Sequence, residues 1–383
     1  MTNLSKPGTG ANGGVVRIAA TRVHDGLGFL GPATIVQEGG RITSITPGLA
    51  AADLVFGDDT ILAPGFVDLQ VNGGGDRLLN DDPSLDTIAA IAAAHRGLGT
   101  ALLLPTLITD APEKTEALLA VATEALAIPG VAGFHLEGPH ISRARKGIHP
   151  ERHVRPMDPA DLARLARFGR VGRSMVTVAP EVVSPEQIAR LVASGLVVSI
   201  GHSDTSADVV ARAIEAGAGM ATHLFNAMSQ IGPREPGVVG AVMAGGHAIA
   251  AGIIADGLTV APANVAMAWR LMGPDRLFFV SDSMPTIGGE RAGFDLVGTP
   301  VRLVDGKLVG PDGTLAGAHV DMAGCVRVAI ERCAIPLDEA LRMAIATPAR
   351  AIGLPDDLWR LAPGSRAALV ALSADVSTAR LLH

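Results

Sequence analysis

Cysteine is nearly absent from this chain: Cys325 and Cys333 are the only two in 383 residues. Both fall in one helical pattern, eight positions apart, which at 1.5 Å rise per residue is about 12 Å and beyond the reach of a disulfide. A chain without disulfides implies a reducing, cytoplasmic setting. Positive charge is also short: the formal net charge of −7 argues against nucleic acid as a partner. Long apolar runs are missing too. The longest weakly polar stretch, Val238–Ala255, is broken by Gly240, Gly245, Gly246, Gly252 and His247, a poor membrane span. No charged segment followed by an apolar one opens the chain, so no secretory signal is expected. There is no internal repeat. No Gly-x-Gly-x-x-Gly follows the first strand of the α/β region, which weighs against a doubly wound dinucleotide-binding sheet.

What is present is a 48% hydrophobic composition, enough for a large core, and a length that suits an α/β barrel with an accessory module. Residues 1–14, rich in Gly, Asn, Thr and Pro, read as a mobile tail. From Val15 to Ile61 short apolar runs alternate with Gly, Asp and Pro turns and predict strands only. Pro64-Gly65 ends that rhythm. Eight strand candidates then alternate with helical patterns: Gly65–Val71, Ala101–Leu107, Gly133–Leu136, Ser174–Ala179, Val197–Gly201, Met220–Leu224, Ala250–Ile254 and Leu277–Val280. Proline opens several of the intervening helices, as suits a first turn. Eight such units predict a closed (β/α)₈ TIM-type barrel over 64–360. Residues 15–63 and 361–383, with Ala367–Leu372 as a strand, predict one small β-sandwich domain built from both chain ends.

Active sites of such barrels lie at the C-terminal ends of the strands. The strongest stretch is Val197–Met228, a strand–helix–strand unit whose parallel strands end on His202 and His223. Each histidine alone reads equally as a metal ligand or as a hydrogen-bonded strand-end residue. The other strand ends decide the matter: the third supplies Glu137 and the eighth Asp282. A Glu/His/His set suits a catalytic metal with one position open to water, and Asp282 is then free to move that water's proton. The alternative for Asp282 is a helix N-cap in Ser281-Asp282-Ser283. The loop 142–155, SRARKGIHPERHVR, is strongly basic and reads either as a solvated face or as an anion clamp.

The segments PGFVDLQVNGGG, GFHLEGPHISRARKGIHP, GHSD, ATHLFNAMSQIGPREPG, GIIADG, VSDSM, DGTLAGA and ATPARAIGL together resemble the N-acetylglucosamine-6-phosphate deacetylases of the amidohydrolase superfamily, in order from about residue 15 to the C-terminus. The resemblance implies one divalent metal per subunit, Zn²⁺ or otherwise Fe²⁺, Co²⁺ or Mn²⁺, held by Glu137, His202 and His223, with Asp282 as general base and then general acid. It implies that His149, the Asn226-Ala227 backbone and Arg234 bind the sugar phosphate, Arg234 reaching across the interface of a homodimer. The strand-1 motif is Gln70-x-Asn72 rather than His-x-His, which favours a single metal and leaves Gln70 facing substrate. One departure stands out. Where the family places a histidine after Ala-Asp-Gly to polarise the acetamide carbonyl, this chain has Thr259, and His319 is the residue expected to compensate. The expected activity is therefore deacetylation of N-acetylglucosamine 6-phosphate. Its rivals are a different N-acyl amino sugar and a non-catalytic sugar-phosphate binder.

Overall fold

The computed structural model describes residues 14–382; apart from Gly14, the expected tail 1–14 lies outside the described residues. Eight parallel strands form one sheet in sequential order: Phe66–Val71, Thr100–Ile108, His135–Glu137, Met175–Val178, Val197–Ile200, Met220–Ala221, Ala250–Ile253 and Leu277–Phe279. Each lies within two residues of its expected start, and most are short and apolar. The first is buried at every position, as strands covered on both faces must be. The sheet curls into a nearly closed barrel. Its two end strands meet through a single parallel bridge between Val71 and Ser283 rather than a full ladder.

The surrounding helices start where local chemistry starts them. Pro112, Pro159, Pro185 and Pro262 occupy first-turn positions, where the missing N–H costs nothing. Ser184 and Gln187 form a reciprocal capping box, and Ser84 and Asp158 cap their own helices. One helix, Gly237–Ala244, falls inside the stretch read above only as weakly polar. Its residues are apolar all round, so no 3.6-residue period marks it.

Both chain ends meet outside the barrel. Leu369–Ser373 pairs antiparallel with Thr60–Pro64, and Ala379–Leu381 pairs with Leu369–Ser373. These strands join Val15–His24, Phe29–Glu38, Arg41–Pro47 and Leu54–Phe56 in one seven-stranded sheet. A further three-stranded sheet, Gly293–Leu296, Thr299–Val304 and Lys307–Val309, follows the eighth barrel strand. The chain then returns to that strand through the Ser283–Ala318 bridge, which brings 314–317 over the barrel mouth.

Candidate metal centre and cavity

The strand ends converge. His202 Nε2 lies 3.2 Å and His223 Nε2 2.9 Å from Glu137 Oε1, and the two imidazole nitrogens are 3.1 Å apart. Ligands about 2.1 Å from a tetrahedral ion stand roughly 3.4 Å from one another, so this triangle fits a small divalent cation. The tautomer of His202 fits as well. Its Nδ1–H donates to the Arg145 carbonyl at 2.8 Å, which leaves the Nε2 lone pair facing the triangle. Burial would raise the Glu137 pKa, but the two imidazoles against its carboxylate, His202 and His223, hold it well below the usual carboxylate range. For His223, burial opposes the cation, while Glu137 and then Asp282 outweigh it and raise its pKa.

His149 joins the same cluster: ligand atoms of Glu137, His149 and His202 all lie within 4.8 Å of one another. Its ring centroid is 4.3 Å from that of His202, and its Nδ1 contacts Thr109 Oγ1 at 2.8 Å. His223 closes the tighter triangle with Glu137 and His202, and His149 borders it. Burial, then the neighbouring His202, keeps the His149 pKa well below its ordinary value, so it is a neutral imidazole at pH 7. Thr109 reaches this place because Gly138 follows Glu137: a Cβ there would collide with Thr109 Oγ1.

Asp282 faces the same cavity. Its Oδ1 accepts from Gln70 Nε2 at 2.9 Å and Asn72 Nδ2 at 2.7 Å. Gln70 Nε2 also reaches Glu137 Oε1 at 3.1 Å. Burial, then the Glu137 charge, pushes Asp282 up to about 7. Gln70 is thus a buried bridge between Glu137 and Asp282 and does not line the cavity, whereas Asn72 does. Asn72 and Thr109 carry no role in the sequence reading. For Asn72 the available signal was spacing: Asp68, Gln70 and Asn72 are polar at alternate positions of an otherwise apolar stretch.

His202, His223 and Asp282 share another property. Their φ angles are +47°, +32° and +47°, in the left-handed region that non-glycine residues rarely enter. Each terminates its strand and turns its side chain towards the barrel mouth.

The cavity above them measures about 360 Å³, a size suited to a small metabolite. Asn226, Ala227, Arg145, Thr259 and Leu315 line it further out. Asn226 Nδ2 is buried with no hydrogen-bond partner, a donor available to a ligand. Thr259 is present but committed: its hydroxyl donates to Asp256 Oδ2 and its N–H to Asp256 Oδ1 at 2.7 Å. His319 lies outside the cavity lining, half-buried, with Nδ1 against Thr286 Oγ1 at 2.8 Å. Arg234 is exposed on the loop before helix Gly237–Ala244 and is also absent from the lining. The basic loop is largely ion-paired, Arg145 to Asp204 at 2.9 Å and Arg155 to the buried Asp161 at 2.8 Å.

The family model for amidohydrolases matches residues 61–380. The chain belongs to the amidohydrolase family. It is 42% identical over 316 residues to an N-acetylgalactosamine-6-phosphate deacetylase of Shewanella sp. (strain ANA-3), covering 82% of this chain and 79% of that protein. It is 34% identical to the N-acetylglucosamine-6-phosphate deacetylase of Haemophilus influenzae, over 88% of this chain and 89% of the relative. Among solved structures, the N-acetylglucosamine-6-phosphate deacetylase of Pasteurella multocida superposes with a TM-score of 0.90 at 34% identity, over 96% of this chain and 97% of the other. An aspartate-to-alanine mutant of the Mycobacterium smegmatis deacetylase, in complex with N-acetyl-D-glucosamine-6-phosphate, gives 0.91 at 33% identity, over 97% and 98%. This amidohydrolase is thus a hydrolase of C–N amide bonds. No described helix is long and apolar enough to cross a membrane.

Proposed function

We propose that this amidohydrolase removes the acetyl group from an N-acetylated amino-sugar 6-phosphate, N-acetylglucosamine 6-phosphate among them, releasing acetate and the free amine. The observation that carries the reading is the placement of Asp282: a carboxylate with one oxygen held by two amides stands beside a Glu/His/His triangle in one cavity. Glu137, His202 and His223 would hold a divalent cation, zinc by the donor set, which would supply Lewis-acid polarisation and lower the pKa of water. Asp282 takes the proton of the attacking water and returns it to the nitrogen as the C–N bond breaks. That return is needed because an amide anion is a very poor leaving group. Gln70 and Asn72 orient the carboxylate throughout.

His149, neutral and beside the triangle, is placed to donate a hydrogen bond to the acyl oxygen as charge develops there. This removes the need for a histidine at Thr259 or for help from His319. The phosphate then falls to Asn226, the Ala227 backbone and Arg234, the last supplied by the partner in a homodimer; full activity of a monomer would refute that arrangement. The two free, buried cysteines suit a cytoplasmic enzyme.

The galacto epimer is the second reading. It rests on the Shewanella relative and on Thr259, whose commitment to Asp256 alters the cavity wall. Acetate release from N-acetylglucosamine 6-phosphate, N-acetylgalactosamine 6-phosphate and both unphosphorylated sugars, with metal analysis, tests all of this. Turnover of the phosphorylated sugars well above the free ones is expected. No acetate from any of the four would refute the proposal.

A further inference from the structure

The barrel seam carries a residue that the chemistry above leaves unused. The first and eighth strands are the two ends of the sheet, and no ladder joins them. Asp68, fully buried on the first strand, bridges the gap with its side chain. Its Oδ1 accepts the Ser281 N–H at 3.2 Å and its Oδ2 accepts the Ser281 hydroxyl. The Ser283 hydroxyl lies 2.9 Å from that of Ser281, and His95 Nε2 lies 3.3 Å from Ser283 Oγ while contacting the Gly73 carbonyl at 3.0 Å. The Ser283 carbonyl accepts from Asn72 N at 2.9 Å and Gly73 N at 3.1 Å. Asp282 therefore sits between two residues that are tied to the first strand or its end, while its own carboxylate is held by Gln70 of that strand and Asn72 just past it.

We propose that Asp68 is a positioning residue for the reaction, a carboxylate clasp that stands in for missing ladder hydrogen bonds and holds Asp282 in its left-handed conformation. The reasoning rests on Asp282 acting as proposed above. A left-handed non-glycine residue relaxes to negative φ unless its neighbours prevent it. On the Ser281 side of Asp282 the two shorter bonds across the seam both end on Asp68, with the Gln70 carbonyl farther off, 3.4 Å from the Ser281 hydroxyl. Asp68 itself lines no cavity and lies too deep to touch substrate, so its contribution is to aim the base.

The test is Asp68→Asn in the metal-loaded protein, read by kcat, KM, metal content and amide hydrogen exchange at 281–283. Asn keeps the size but replaces the oxygen that accepts the Ser281 hydroxyl with an N–H donor. The expected result is a kcat lower by roughly ten- to a hundredfold, the scale of a misaimed catalytic group. KM should stay within about twofold, metal should be unchanged, and exchange at 281–283 should be faster. Should that variant fail to fold, Ser281→Ala, which keeps the N–H bond to Asp68, is expected to show the same pattern at smaller amplitude. Native kcat overturns the proposal, as does a fall in kcat with exchange unchanged, or one in which KM and metal fail in step with it. If the native chain releases acetate from none of the sugars, the functional reading fails by itself and the exchange measurement still decides whether Asp68 is the clasp.

Discussion

Replacing Asp282 with Asn separates proton transfer from everything else the residue does. Its Oδ1 accepts from Gln70 and Asn72, and the Asn carbonyl can take both bonds. The Asn amide then occupies the position of Oδ2, which can no longer accept a proton. Asn tolerates the +47° φ of this position, so the backbone should hold. Turnover should fall at least ~10²-fold, the usual contribution of a positioned acid–base group, with stoichiometric metal retained. The pH profile supplies an independent check. A base works ionised, so the rate should fall as pH drops through its pKa. Without metal that value is pushed up to about 7 by burial and Glu137; a bound cation draws it down, placing the acid limb between about 4 and 7. The same shift predicts stability. A carboxyl whose folded pKa lies above its unfolded value of ~3.9 stabilises through its proton below ~4 and loses that contribution as pH rises through about 7. At about 1.36 kcal/mol per pH unit, the ionised carboxylate costs the metal-free fold on the order of 4 kcal/mol. Metal-free Asp282→Asn should therefore melt above the metal-free native protein at pH 8, with the gap narrowing towards pH 5. Near-native turnover in Asp282→Asn, measured as acetate release, would reduce Asp282 to a structural strand-end residue.

The other expectations are shorter. His202→Ala or His223→Ala should lose both bound metal and activity, as measured by metal analysis on the purified protein; stoichiometric metal without His202 would refute the ligand set. His149→Ala should cut kcat by ~10²–10³-fold equally on phosphorylated and unphosphorylated sugars, whereas a loss confined to the phosphorylated sugars would make His149 a phosphate ligand. Thr259→His should leave turnover unchanged or lower it, because His149 already faces the reacting centre, and His319→Ala should be silent. A slow native enzyme accelerated by Thr259→His would refute that account.

The barrel was legible because its strands are short, apolar and regularly spaced between helices with readable starts. The rim residues were legible because each stands at or just past the end of a strand: Glu137 closes the third, and His202, His223 and Asp282 follow the fifth, sixth and eighth. The polar residues of the first strand and its end were harder. Asp68, Gln70 and Asn72 looked like motif fragments, and only the seam geometry separates their partners, with Asp68 on the Ser281 backbone and hydroxyl and the two amides on Asp282. The place of Thr259 was also hidden. Its tie to Asp256 is an Asx-type turn whose direction depends on backbone angles that the letters Ala-Asp-Gly-Leu-Thr do not specify. The position of His319 outside the cavity lining was hidden for the same kind of reason: residues near in motif order need not face the same space.

The left-handed strand ends explain why the site needs so much buried polar support. Three non-glycine residues at positive φ cost roughly 1–2 kcal/mol each, and a parallel ladder offers them no regular hydrogen bonds beyond the strand. The fold answers each one locally. His202 is tied through Nδ1 to the Arg145 carbonyl, and its own carbonyl accepts the Ser142 N–H at 2.9 Å. His223 is followed by a tight turn in which Asn226 N–H donates back to the His223 carbonyl at 2.9 Å. Asp282 is held by Gln70 and Asn72, with Ser281 clasped by Asp68. The supports differ in kind, a loop carbonyl, a turn and a barrel seam, yet all act on the residue that must point inward. Loss of a single support leaves the other two supported residues in place. The expected signature of damage to the supports is therefore a fall in turnover rather than in folding, with metal retained wherever the support lost is that of Asp282.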